Sequence, residues 1–337
     1  MMSETLCTAT DYRTESDPLG TIRVPVDAYY GPQTARAIAN FQVTGRTIAS
    51  LPELLRMLAA VKKAAALANA EAGELPGAMV EAITRACDEV LAGQHFAHFA
   101  VDPLQGGAGT STNMNMNEVI AARASEILAG MDCTAVTIHP NDHVNRSQST
   151  NDAYASAARL AADILMGGLG ESLARVITAL DTKASQFDLV PKLGRTQMQD
   201  AVPMTAGMEL RAFASALQQS QAEIVQLRPQ LREINLGGTA IGTGVGACDA
   251  YRTAVLRHLS DVAGCTVVAS PDLVAATSDT SDFVACAGVA KRLAIRLGKL
   301  ASDLRLLSSG PRGGIGELHL PAMQPGSSIM PGKVNPV

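Results

Sequence analysis

DAYASAARLAADILMGGLGESLARVITALDTKASQF, residues 152–187, decides the fold. Small and apolar residues recur at helical spacing through the whole stretch with few breaks, far beyond an average helix of roughly 10–14 residues. A rod of that length predicts a bundle of long helices. Arg159 and Asp163 interrupt its apolar run and make it too polar to span a membrane.

The pattern continues on both sides. Leu51 to Ala72 opens with Pro52 and Glu53, both suited to a first helical turn, and sets Leu54, Leu55, Leu58, Val61, Ala65 and Leu67 at helical spacing. Further helices are predicted over Gly77 to Leu91, up to about Leu128, from residue 206 to about Ile234, and from about Asp282 to Leu307. The 337 residues are 47% hydrophobic but only 3% aromatic, without tryptophan. That composition suits long packed helices rather than a sheet-rich domain, so the expected class is mainly α. Residues 1–18 are polar and are expected to form a disordered or loosely attached tail.

A net charge of −5 offers no positive field to a nucleic acid. The first residues carry acids early and lack an apolar core, so they do not read as a secretory signal; a cytoplasmic protein is expected. Cys7, Cys87, Cys133, Cys248, Cys265 and Cys286 form no CxxC pair, so neither a zinc site nor a disulfide framework is suggested. Reduced, mostly buried thiols are the plain reading.

Polar stretches interrupt the helices at VDPLQGGAGTSTNMNMN (101–117), IHPNDHVNRSQSTND (138–152), PKLGRTQMQDAVPMT (191–205) and the segment from residue 308 to the end. The glycines of GGAGTST and GGTAIGTGVG lack the spacing of a phosphate loop and read as turns between helices. His139 and His143 have the i, i+4 spacing of a metal pair, but Pro140 and Asn141 argue against a helix there and no third ligand is evident. His95 and His98 sit near a helix end. Thr112, Thr150 and Thr205 could be helix N-caps and nothing more. Four separate loops, however, combine hydroxyl groups with amide or cationic side chains, a chemistry suited to a small anion with two carboxylates.

GSSIMPGKVNP, residues 326–336, resembles the signature of the aspartase/fumarase superfamily, and the likeness extends over about Leu19 to Val337. Ala108 in QGGAGTSTNMN, Thr150 in SQSTND and Gln197 in GRTQMQDAVPM resemble its ammonia-lyase branch more than its hydratases, which carry serine, serine and histidine there. Hydration gains from an imidazole that takes a proton from water, whereas release of ammonia does not require it.

The resemblance implies reversible elimination of ammonia from L-aspartate to give fumarate, with fumarate hydration as the alternative. It implies Ser327 as general base. Substrate-binding residues would be Thr110 and Ser111, then Ser149, Thr150 and Asn151, then Thr196 and Gln197, with Lys333 and Asn335 holding a carboxylate. The proton leaves the carbon beside the β-carboxylate, and the carbanion spreads into that carboxylate as an aci-form that preorganised donors stabilise. No metal site and no required cofactor are implied, though activation by a divalent cation is compatible.

The implied fold has a mixed N-terminal lyase domain over 19–151 and a central helical bundle over 152–337, assembled as a homotetramer. The bundle is expected to be incomplete and the family's C-terminal domain absent. That leaves a reading of another class open, an inactive truncated helical fragment that needs partner subunits.

Overall fold

The computed structural model describes residues 11–131 and 137–336. In chain order these form β1 (Tyr12–Asp17), β2 (Gly20–Pro25), α1 (Pro32–Asn40), α2 (Pro52–Glu71), α3 (Gly77–Leu91), α4 (Thr110–Ala129), α5 (Thr150–Gln186), β3 (Pro191–Thr196) and β4 (Gln199–Thr205). They continue with α6 (Ala206–Leu231), β5 (Glu233–Ile234), α7 (Asp249–Ala263), β6 (Val268–Ala269), α8 (Leu273–Ser278), α9 (Ser281–Leu307), β7 (Gln324–Pro325) and β8 (Val334–Asn335). The long rod is a single helix of 37 residues, and the fold is mainly α as the sequence implies.

Two compact units share the chain, one built from Met1–Leu165 with Arg228–Asp282, the other from Met166–Leu227 with Phe283–Val337. In the first, α2 is the central element. Leu55, Leu58 and Val61 are fully buried on it, and Ala59, Ala60, Ala64, Ala65 and Ala68 present almost no bulk. Small side chains around the helix let α3 and α7 pack closely against it. α7 lies outside the helices that spacing predicts, because polar residues such as Arg252, Thr253 and Arg257 dilute a stripe of only Tyr251, Ala254, Val255 and Leu259.

The first unit corrects two expectations. Residues 12–17 belong to an antiparallel hairpin with β2 rather than to a loose tail. Arg36 of α1 grips Asp17 at 2.7 Å, and Arg13 donates to the carbonyls of Pro25, Val26 and Ala28, so polar side chains anchor a segment with little to bury. Residues 110–117, expected as loop, are the first turns of α4, with Thr112, Asn113, Asn115 and Asn117 buried. Weak helix formers are tolerated here because Thr112 N–H donates to Gln105 Oε1 at 2.8 Å and Asn115 Nδ2 donates to the His98 carbonyl at 3.0 Å.

In the second unit Leu173 and Ile177 of α5, Leu210, Leu217 and Ile224 of α6, and Leu293 and Leu300 of α9 form buried stripes. Val176, Val225, Val284 and Ile295 on the same three helices face solvent. The interruption at 191–205 is an antiparallel hairpin, not a loop; Gly194 and a register shift between Leu193 and Arg195 hide its alternation.

Candidate active site

In the first unit the N-termini of α4 and α5 abut. Thr110 and Thr150 are the first residues of these helices. Gly107, Ala108 and Gly109 lead into α4 in left-handed conformations, with φ of 77°, 49° and 88°. A Cβ on Gly109 would lie 2.5 Å from the Tyr154 ring of α5, so only glycine allows this approach. The Thr110 hydroxyl donates to the Gly107 carbonyl at 2.6 Å, and Ser111 is half-buried beside it. Gly109→Ala is therefore expected to cost about 2 kcal/mol or more through clash and backbone strain. A shift of less than about 0.5 kcal/mol in urea unfolding would show that the two helices do not need this contact.

The Ser149, Thr150 and Asn151 segment is held by a carboxylate that spacing assigned only to a helix start. Asp152 is fully buried and accepts from the backbone N–H groups of Ser149, Gly237 and Thr239 at 2.9, 3.0 and 2.9 Å. Burial pushes its carboxyl up, and these donors work against that push. The glycine-rich turn after β5 thus wraps the start of α5. Asn151 Nδ2 donates to the Ala240 carbonyl at 2.8 Å, so this predicted substrate donor is engaged with the chain. Thr150 Oγ1 accepts from Asn113 Nδ2 at 3.1 Å.

Beneath this segment lies Lys62, fully buried on α2. Its Nζ donates to Asn145 Oδ1 at 2.8 Å and to Gln148 Oε1 at 2.9 Å. Burial lowers its pKa to about 7, against the opposing pull of Asp152. Between that value and the ordinary lysine range the unfolded chain binds the extra proton, so stability rises with pH. The slope owed to Lys62 approaches roughly 1 kcal/mol per pH unit from about pH 7 to 10. Lys62→Met should remove that slope, and parallel wild-type and variant curves over this range would contradict it.

In the second unit the tip of the β3–β4 hairpin carries Thr196 and Gln197, both exposed. Gln197 and Met198 adopt φ of 50° and 63°, unusual for non-glycine residues. Lys192, with its side chain 9% exposed, pairs with Glu209 at 2.5 Å and Glu317 at 3.0 Å, while Arg195 pairs with Glu317 at 2.5 Å. This cluster ties the hairpin to the segment that leads into residues 326–336, and Arg195 first, with Lys192, holds the Glu317 carboxyl below its usual range.

The loop after β7 closes on itself. Gly326 N–H donates to the Lys333 carbonyl at 2.8 Å, and Lys333 Nζ donates to the Gly326 carbonyl at 3.2 Å. Ser327 Oγ accepts from the backbone N–H groups of Ile329 and Met330 at 3.1 and 3.3 Å. Two donors on one hydroxyl oxygen favour the alkoxide over the alcohol. Asn335 is half-buried on β8, and its carbonyl accepts from Met323 N–H at 3.1 Å. Each unit thus gathers its own set, Thr110, Ser111, Ser149, Thr150 and Asn151 in the first, and Thr196, Gln197, Ser327, Lys333 and Asn335 in the second.

The histidines are held by structural bonds. His143 Nδ1 accepts from His139 N–H at 2.8 Å, and His139 Nδ1 from Asp142 N–H at 3.2 Å, within a π-helical turn over Pro140–Val144 where no helical turn was expected. His95 pairs with Glu89 at 2.6 Å. Cys87 and Cys286 are buried, Cys265 is half-buried and Cys248 exposed; Cys7 and Cys133 lie outside the described residues. No described helix is long and apolar enough to cross a membrane.

The sequence reading missed Lys62, Asn113, Asn145 and Gln148. A lysine inside an alanine-rich apolar run and asparagines alternating through NMNMN were the available signals.

The profile of a family described as Lyase matches residues 20–337. An aspartate ammonia-lyase of Pseudomonas canavaninivorans is 51% identical over 98% of the chain and 70% of its own length. One of Escherichia coli K12 is 47% identical over 96% of the chain and 68% of its own length. A fumarate lyase:delta crystallin structure from Brucella melitensis superposes with a TM-score of 0.92 at 50% identity, covering 97% of the chain and 71% of the other. A class II fumarase from Schistosoma mansoni also gives 0.92, at 38% identity with the same coverage.

Proposed function

The chain belongs to this lyase family, the aspartase/fumarase superfamily, and from that premise we propose that it catalyses the reversible elimination of ammonia from L-aspartate to give fumarate. The observation that carries the reading is the Ser327 hydroxyl oxygen beneath two backbone N–H donors, an arrangement that lowers the cost of the alkoxide a serine base requires. Ser327 takes the proton from the carbon beside the β-carboxylate. The electron pair left there spreads into that carboxylate and then forms the carbon–carbon double bond as the C–N bond breaks, the ammonium group of L-aspartate leaving as neutral ammonia with the bonding pair.

Growing charge on the carboxylate is met by fixed donors. Thr110, Ser111, Ser149 and Thr150 lie at two helix N-termini, whose positive dipole ends favour an anion. Asn151, Thr196, Gln197 and Asn335 complete the set, and Lys333 supplies a full positive charge. A neutral Gln197 suits deamination, which does not need an imidazole to activate water. The elimination requires no cofactor, and activation by a divalent cation is compatible with it.

We further infer a cytoplasmic homotetramer. Val176, Val225, Val284 and Ile295, exposed on three long helices, fit burial against further copies of the chain. The expected division into a lyase domain over 19–151 and a bundle over 152–337 belongs to the same proposal.

Absorbance at 240 nm, where fumarate absorbs, tests the reaction with L-aspartate in one cuvette and L-malate in another. A rise with aspartate alone is expected. A rise with malate alone would make the protein a hydratase.

A further inference from the structure

Lys62 has no place in the elimination, yet its bonds lead to a substrate-binding hydroxyl. Whether charged or neutral, its Nζ has at least two N–H donors to give. It gives them to Asn145 Oδ1 and Gln148 Oε1, and together with the bonds from Asn145 Nδ2 to the Gln148 carbonyl at 3.2 Å and from Gln148 Nε2 to the Val144 and Arg146 carbonyls at 3.0 and 3.1 Å this fixes which way those amides face. An Asn145 turned over would set its NH2 against a donor.

The fixed Asn145 Oδ1 also accepts from Asn113 Nδ2 and Asn117 Nδ2, each at 3.2 Å. Asn113 cannot turn over either, since its Oδ1 would then face the oxygen of Asn145. Its Nδ2 must therefore point where it does, with the second bond going to Thr150 Oγ1 at 3.1 Å. That bond occupies an acceptor site of the threonine oxygen, and the hydroxyl proton is left to point elsewhere. Lys62, Asn113 and Asn117 are buried, while Asn145 and Thr150 are half-buried, so most of the chain of bonds is sheltered from water.

We propose that Lys62 is a positioning residue that sets the hydrogen-bond polarity of Thr150 through Asn145 and Asn113, so that the Thr150 hydroxyl meets a substrate carboxylate as a donor. The proposal rests on the reading of Thr150 as substrate-binding. An acceptor facing a carboxylate repels it, so the direction of one O–H decides between attraction and repulsion.

Fumarate binding, followed by calorimetry on the whole protein, tests this without requiring turnover. Lys62→Met removes the fixed donor. Asn113→Asp keeps the shape but presents an acceptor to Thr150, turning its proton inward. Each is expected to weaken fumarate binding roughly tenfold or more. With Thr150→Val already in place, Lys62→Met should weaken it by less than about threefold, because the group it acts on is gone.

A merely structural lysine would lower the unfolding temperature while leaving the affinity of the folded protein intact, or would cost the same factor in both backgrounds. Either result overturns the proposal. Should Lys62→Met not fold, Asn113→Asp decides alone, and wild-type affinity there overturns it. Wild type that binds fumarate but releases none from L-aspartate would refute the elimination and leave the cycle readable. Wild type that does not bind fumarate would overturn both.

Discussion

Ser327→Ala is expected to lower kcat for L-aspartate by about 10³-fold while leaving fumarate affinity within a few fold. The asymmetry follows from what the side chain does. Its oxygen accepts from Ile329 and Met330 N–H groups, which disperse negative charge on that oxygen. The alanine variant keeps those donors and the loop fastened between Gly326 and Lys333, so the carboxylate contacts persist. Only the group proposed to accept the proton is lost. Under the proposal that the Ser327 alkoxide accepts the proton, kcat/KM of the wild type should also rise with pH before it levels. Near-normal turnover in Ser327→Ala would remove the serine from the reaction and require another base.

Asp152→Ala is expected to cost about 4 kcal/mol of stability, the largest loss of any single substitution considered. The carboxylate is fully buried and takes three backbone donors from two separate segments, Ser149 on one side and Gly237 and Thr239 on the other. Removing it strands three N–H groups away from water, each costing about 1–3 kcal/mol, offset in part by relief of a buried charge. Nothing in an alanine can reconnect the glycine-rich turn to the start of α5. Urea unfolding measures the effect, and a loss below about 1 kcal/mol would mean that the turn is held by other contacts. Activity should fall with it, since the hydroxyl groups of Ser149 and Thr150 are adjacent to the bonds that are lost.

The long helices were legible because a 3.6-residue period survives when one face is buried over many turns. The boundaries Gly77 and Leu91 of α3 match the reading, α2 differs by one residue at each end and α9 by one at its start. The start of α4 was not legible. Asparagine and threonine read as loop, and only the partners supplied by Gln105 and His98 make their burial in a helix favourable. The hairpin at 191–205 was hidden in the same way, its strands being short, exposed and broken by Gly194.

The residues proposed to touch substrate were found through a motif, which identifies side chains that meet the ligand. The residues behind them were not. Lys62 lies far from Asn145 in sequence, and no local pattern reveals that a lysine in an apolar helix has found two amide oxygens.

The central place of α2 has a bearing on motion. A helix buried along most of its length, with only a stripe through Arg56, Lys63 and Leu67 reaching solvent, is expected to protect its amides around Lys62 until the surrounding unit opens. The Thr150 hydroxyl, proposed to meet the substrate, is linked through Asn113 and Asn145 to this buried helix, whereas Ser327 lies in a largely exposed loop.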